Sequence, residues 1–151
     1  MAVTITQATT VDARFLEAMD RLIPQLSSSW QGTSPEAFEA MVTHPAVQLL
    51  LAETEEGTIV GTLTLVCFPI PTGIRAWIED VVVDGAARGL GAAKALVREA
   101  IDRSAAAGAT TVDLTSRPSR EAANQLYQAM GFEQRTTNVY RRTLEVPADG
   151  S

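Results

Sequence analysis

Ile78–Ile101, IEDVVVDGAARGLGAAKALVREAI, changes its hydrophobic period once, and that change sets the fold class. Trp77–Val83 is apolar and β-branched apart from Glu79 and Asp80, the pattern of a buried central strand. Asp84-Gly85-Ala86-Ala87 interrupts the run. From Gly89 onward the period is helical: Leu90, Ala93, Val97, Ala100 and Ile101 share one face, with Lys94, Arg98 and Asp102 opposite. The stretch therefore predicts a strand, a glycine-rich turn and a helix.

The turn Arg88-Gly89-Leu90-Gly91-Ala92-Ala93 opens that helix. A helix start presents unpaired backbone N–H groups and the positive end of the macrodipole. Glycines keep Cβ atoms out of an anion's way, and Arg88 adds a fixed positive charge. Phosphate binding, of a pyrophosphate in particular, is the chemistry implied. A tight strand-to-helix turn with no ligand needs the same glycines, so they carry little weight alone. Two other phosphate loops do not fit. Gly91 is followed by Ala92 where a P-loop needs Lys and then Ser or Thr, and Lys94 stands where a dinucleotide fingerprint needs its third glycine. Asp113 lies about 20 residues downstream, as a ribose-binding acid would. Too little chain follows for a doubly wound sheet.

RGLGAA resembles the R/Q-x-x-G-x-G/A signature of the GNAT superfamily of N-acetyltransferases. IEDVVV resembles that family's central strand, particularly as it occurs in the diamine and glucosamine-phosphate acetyltransferases. NQLYQAMGF, Asn124–Phe132, resembles the family's late helix-to-strand motif, and the two matches fall in the family's order and spacing. The resemblance extends over about residues 3–144, with its motifs within Ile78–Phe132. It implies an α/β (α+β) fold: a mixed, mostly antiparallel sheet of about six to seven strands with a splayed central pair, flanked by about four helices. It implies a single acetyltransferase domain over residues 1–146, followed by a flexible tail at 147–151.

The resemblance also implies acetyl-CoA as cofactor. Its pantetheine arm would pair with the backbone of Val81, Val82 and Val83, much as an added strand does. Arg88, Gly89, Leu90, Gly91, Ala92 and Ala93 would hold the pyrophosphate. Tyr127 matches the family's tyrosine, the candidate acid: a phenol with a pKa near 10 stays protonated at neutral pH and can donate to a departing thiolate. Glu79 is the candidate base, directly or through a water, and pairing with an arginine is the competing reading. Many family members carry a cofactor-contacting asparagine seven residues before the tyrosine. Here that position is Arg120, which could bind a cofactor phosphate, while Asn124 could take over part of the role. Trp30, between the first two helices, is the candidate acceptor contact, with packing against the second helix the alternative.

Composition narrows the rest. The chain has 151 residues, 46% apolar, enough for one core. No apolar run reaches membrane-span length, and MAVTITQATT lacks the features of a signal peptide, so a cytoplasmic protein is expected. The net charge of −6 argues against nucleic acid and weakly favours steering of a cationic substrate, although solubility explains it better. The single cysteine, Cys67, excludes an internal disulfide and fits an alternating strand as a buried apolar residue. The single histidine, His44, has no partners at metal-ligand spacing, so no metal is expected. The expected function is acetyl transfer to a primary amine of a small molecule, direct and in a ternary complex. A protein N-terminus or lysine is the alternative acceptor, and a non-catalytic acyl-CoA-binding module the alternative class. A homodimer is expected from the resemblance.

The remaining elements follow from pattern. Val3–Ala8 alternates as a strand. Thr10 or Asp12 caps a helix with Phe15, Ala18, Met19 and Leu22 on one face. Ser34-Pro35 starts a second helix. Val47–Thr54, Thr58–Phe68 and Ile74–Val83 form a meander, turning at Glu55–Gly57 and Pro69–Gly73. The central helix ends near Ala107, and Thr110–Thr115 is a strand parallel to Trp77–Val83. Arg120–Met130 is the last helix, capped by Ser119 and closed by Gly131, and Phe132–Arg135 with Asn138–Leu144 forms a final hairpin.

Overall fold

The computed structural model describes residues 2–146; the tail expected at 147–151 lies outside them. The chain falls into two compact units, divided between Arg117 and Pro118.

The first unit holds one five-stranded sheet in the order β1 (Thr4–Gln7), β2 (Val47–Glu53), β3 (Ile59–Ile70), β4 (Gly73–Val83) and β5 (Val112–Asp113). β1 to β4 are antiparallel neighbours, and β5 runs parallel to β4. Its helices are α1 (Ala13–Leu26), α2 (Pro35–Val42) and α3 (Ala92–Ala106). The second unit holds α4 (Glu121–Ala129). The architecture is mixed α and β, mostly antiparallel, with four helices among the described residues, as the sequence predicts.

Local chemistry explains the helix starts. Asp12, rather than Thr10, caps α1 and accepts the Phe15 N–H at 2.8 Å. Ser34 caps α2 and accepts the Ala37 N–H at 3.1 Å, with Pro35 at the first helical position. Phe15, Ala18, Met19 and Leu22 are buried on α1, and Phe15 meets Phe38 of α2 edge to face, ring centroids 5.1 Å apart. Leu49 and Leu51 of β2 join that cluster with Ile59 and Val82.

Gln48 and Leu50 point to the other face, where Arg103 of α3 donates to Gln48 at 2.9 Å and to Gln7 of β1 at 2.8 Å. α3 buries Ala92, Leu96, Val97, Ala100 and Ser104, a stripe turned from the one expected. The helix begins only after Gly91, so Leu90 belongs to the turn and Leu96 takes the core position. At Gly61 of β3 a Cβ would lie 3.2 Å from Leu96 Cδ1 and 3.1 Å from Val83 Cγ2, so the bare glycine lets α3 approach the sheet.

Three expectations are corrected. The β3–β4 hairpin is tighter than expected: Ile70 pairs with Gly73, and Pro69 lies within the strand. β5 is two residues long rather than six. The final hairpin does not form among the described residues, so the sheet has five strands instead of six or seven. Val139, Tyr140 and Leu144 are exposed. Alternation supplies a face, but a strand exists only where its backbone finds a ladder partner, and a lone hairpin is marginal in water.

Candidate functional site

β4 is irregular at the residues singled out in the sequence. Thr62 pairs with Val82 and Thr64 with Glu79, so Leu63 alone opposes Asp80 and Val81. This bulge is closed by Asp80 at φ +50°, the one non-glycine left-handed residue among those described. Glu79 and Asp80 are consequently exposed, rather than part of a fully buried strand. Glu79 takes its hydrogen bond from the indole N–H of Trp77, two residues back, and not from an arginine.

Before the bulge, after Trp77, β4 parts from β5. The two strands pair only at Ala76 with Val112 and Trp77 with Asp113, whereas β4 continues to Val83. Val81–Val83 is bonded to β3 on one side, and no described strand pairs with its other edge. Main-chain donors and acceptors on such an edge can accept an extended ligand. Val82 is buried, and Val81 and Val83 are half-buried, so their side chains can serve the core while the backbone edge remains available.

The edge leads into the turn. Gly85–Ala87 makes one 3-10 turn, and Arg88 follows, exposed. Gly89 (φ +89°) and Gly91 (φ +73°) are left-handed, and a Cβ at either would meet nothing within 4 Å. The glycines are thus required by backbone conformation, and open space lies beside them. Gly91 caps α3 with no side-chain hydrogen bond. Gly91 offers no side chain to cap the first-turn N–H groups of α3, and the exposed Arg88 lies four residues before Ala92. This donor set fits a pyrophosphate.

A polar cluster that the sequence reading missed holds the start of the turn. Arg21 Nη1 of α1 donates to Asp84 Oδ2 at 2.7 Å and Nη2 to the Ile59 carbonyl at 2.9 Å. Gln25 Nε2 donates to Asp84 Oδ1 at 3.3 Å, and Gln25 Oε1 accepts the Gly85 N–H at 2.9 Å. The Ala86 N–H donates to Asp84 Oδ1 at 3.1 Å. That N–H, with help from Arg21 and Gln25, holds the Asp84 carboxyl below its ordinary pKa against the opposing effect of burial. The legible signal was the polar stripe Glu17, Arg21, Gln25, spaced by four along the flank of the buried face of α1.

In the second unit, Arg120 rather than Ser119 precedes α4 as its cap residue and is exposed. Asn124 Nδ2 donates back to the Arg120 carbonyl at 2.8 Å. Tyr127 is the buried residue of α4, with its ring 5.8 Å from that of Phe132. The helix closes as the sequence predicts: Gly131 is left-handed, its N–H bonds to the Gln128 carbonyl, and the Phe132 N–H bonds to the Tyr127 carbonyl. Burial pushes the Tyr127 phenol above its ordinary pKa, and the Arg120 charge pulls modestly the other way. The phenol therefore holds its proton at neutral pH.

Trp30 is half-buried against the α1–α2 cluster, and its indole N–H donates to Thr33 Oγ1 at 3.0 Å. Burial pushes the Cys67 thiol up, opposed by its contact with Ser104, which suits packing rather than nucleophilic attack. His44 Nδ1 accepts the Ala46 N–H. No helix among the described residues is long and apolar enough to cross a membrane.

The model of the Acetyltransferase (GNAT) family matches residues 15–132. A protein of Agrobacterium tumefaciens str. C58 described as an acetyltransferase is 28% identical and superposes with a TM-score of 0.81, over 93% of this chain and 99% of that one. A transcriptional regulator from Bacillus halodurans C-125 is also 28% identical, with a TM-score of 0.79 and the same coverage. An aminoglycoside acetyltransferase from an uncultured soil metagenomic sample shares the fold, with a TM-score of 0.82 at 18% identity, over 95% of this chain and 97% of its own. Among curated proteins none matches.

Proposed function

The chain belongs to the acetyltransferase (GNAT) family, and from that premise we propose that it transfers an acetyl group from acetyl-CoA to a primary amine of a small molecule, by direct attack in a ternary complex. The observation that carries this reading is the unpaired edge of Val81–Val83 running into a turn whose helix N–H groups have no side-chain cap.

When bound, acetyl-CoA would supply an acyl group activated as a thioester. The backbone of Val81, Val82 and Val83 would hold its pantetheine arm. Arg88, Gly89, Leu90, Gly91, Ala92 and Ala93 would hold the pyrophosphate, and Arg120, the cap residue of α4, and Asn124 on that helix are further candidates for cofactor contacts. Glu79 is exposed on β4 and oriented by Trp77, so its carboxylate would take the proton of an incoming ammonium. Tyr127 would keep its proton at the phenolic oxygen until the thiolate leaves, a role that its raised pKa supports. Holding two reactants together supplies much of the rate in such transfers. The net charge of −6 suits a cationic acceptor.

Calorimetric titration with acetyl-CoA, repeated on Gly91→Glu, tests the reading. The parent is expected to bind. The variant, with bulk, negative charge and a strained left-handed backbone at the turn, is expected not to bind. A folded parent that fails to bind would remove the cofactor from this site. Release of thiol across a panel of amines then separates an enzyme from a binding module.

A further inference from the structure

The cluster at the start of the turn joins two elements distant in sequence. α1 sends Arg21 and Gln25 across to Asp84 and Gly85, about 60 residues later, where β4 ends and the turn begins. The side chains of Arg21 and Asp84 are 29% and 16% exposed, which shields their 2.7 Å contact more than a surface pair. The rest of the cluster is ordered around it. Arg21 is held from behind by Glu17 at 3.0 Å and reaches the Ile59 carbonyl at the start of β3, while the Asp84 N–H bonds to the neighbouring Val60 carbonyl at 2.8 Å. Gln25 is steadied by donating to the Arg21 carbonyl at 3.0 Å and accepts the Gly85 N–H. Downstream, the backbone has two left-handed glycines within three residues and open space around both. A segment with that much conformational freedom presents a fixed array of N–H groups only if its entry is held. α3 holds the exit through its buried stripe. On the entry side the contacts come from α1, from the Val60 carbonyl of β3 and from Asp84 itself.

We propose that Arg21 and Gln25 are positioning residues for the coenzyme turn: by gripping Asp84 and Gly85 they fix the path of Arg88–Ala93 so that its N–H groups converge on a pyrophosphate. The inference rests on the acetyl-CoA reading above for the ligand, but not for the grip itself. Neither residue touches the ligand. Removing either loosens the turn before any coenzyme arrives and weakens coenzyme binding as a consequence.

Two measurements on the full chain test this. Amide hydrogen exchange without ligand compares the parent with Arg21→Met, Arg21→Lys and Gln25→Ala. Binding of coenzyme A by calorimetry is measured on the same proteins. Arg21→Met is expected to speed exchange at Gly85–Gly91 while leaving β2 and β3 unchanged, and to weaken coenzyme A about tenfold, as loss of one member of a coupled network does. Arg21→Lys should recover part of both effects, because an ammonium can meet Asp84 but cannot also reach the Ile59 carbonyl as a planar fork does. Gln25→Ala, at an exposed helix position, tests the same grip should Arg21→Met fail to fold. Unchanged exchange at the turn in folded variants, or unchanged coenzyme A affinity, overturns the proposal. A parent that binds no coenzyme A overturns the acetyl-CoA reading and this proposal with it. That outcome is distinguished from failure of the grip alone, in which the parent binds and the variants bind equally well.

Discussion

Two regions of this chain carry similar sequence patterns with different results. Val47–Glu53, in the first unit, and Asn138–Leu144, in the second, both intersperse apolar with polar residues over strand length. The first becomes β2, flanked on both edges by β1 and β3, with Leu49, Leu50 and Leu51 buried. The second forms no strand, and its Val139 and Leu144 are each 76% exposed. The difference teaches that an apolar–polar pattern of strand length identifies a candidate strand and not its partner. β2 has edges to join and helices to cover it; among the described residues no strand pairs with 138–144. The second unit nevertheless carries Tyr127, the candidate acid, on a helix with one buried residue.

The largest expected effect asks whether the core-poor unit carries chemistry. Tyr127→Phe keeps the ring against Phe132 and removes only the proton. Turnover with an accepted amine should fall about 10²–10⁴-fold, the usual worth of a general acid, with little change in melting temperature. Unchanged turnover would leave Tyr127 a packing residue.

A pair of truncations sharpens the contrast itself. Leu63→Ala, at a fully buried position of β3, should cost about 2–5 kcal/mol in urea unfolding, while Leu144→Ala should stay within about 0.5 kcal/mol. A Leu144→Ala loss near that of Leu63→Ala would break the comparison, because it would mean that the C-terminal segment is packed.

The smallest effect is one of pH. Asp84 titrates below its ordinary value in the folded chain, so its ionised form stabilises the fold above the unfolded carboxylate pKa of about 3.9. That contribution is lost as pH falls through the lowered value. Between pH 6 and 3 the urea midpoint of the parent should therefore drop further than that of Asp84→Asn. Equal drops would show that the cluster on α1 adds nothing to the ionised state.

Much of this protein was written locally. The caps at Asp12 and Ser34, the glycine closure at Gly131 and the strand-turn-helix unit around Gly89 and Gly91 each depend on residues within a few positions of one another, and each forms as the sequence predicts. The candidate site was legible to the same extent. Its turn and its tyrosine lie in short motifs, and the family match covers both. Three features were decided only by tertiary structure, because each depends on residues far apart along the chain. The bulge at Asp80 is a register shift between β4 and β3, and register is a property of the pair. The unpaired edge at Val81–Val83 exists because β5 stops at Asp113, which no pattern inside β4 encodes. The grip of Arg21 and Gln25 on Asp84 and Gly85 arises only when the sheet brings α1 to the end of β4, turning an ordinary polar helix face into the support of the turn.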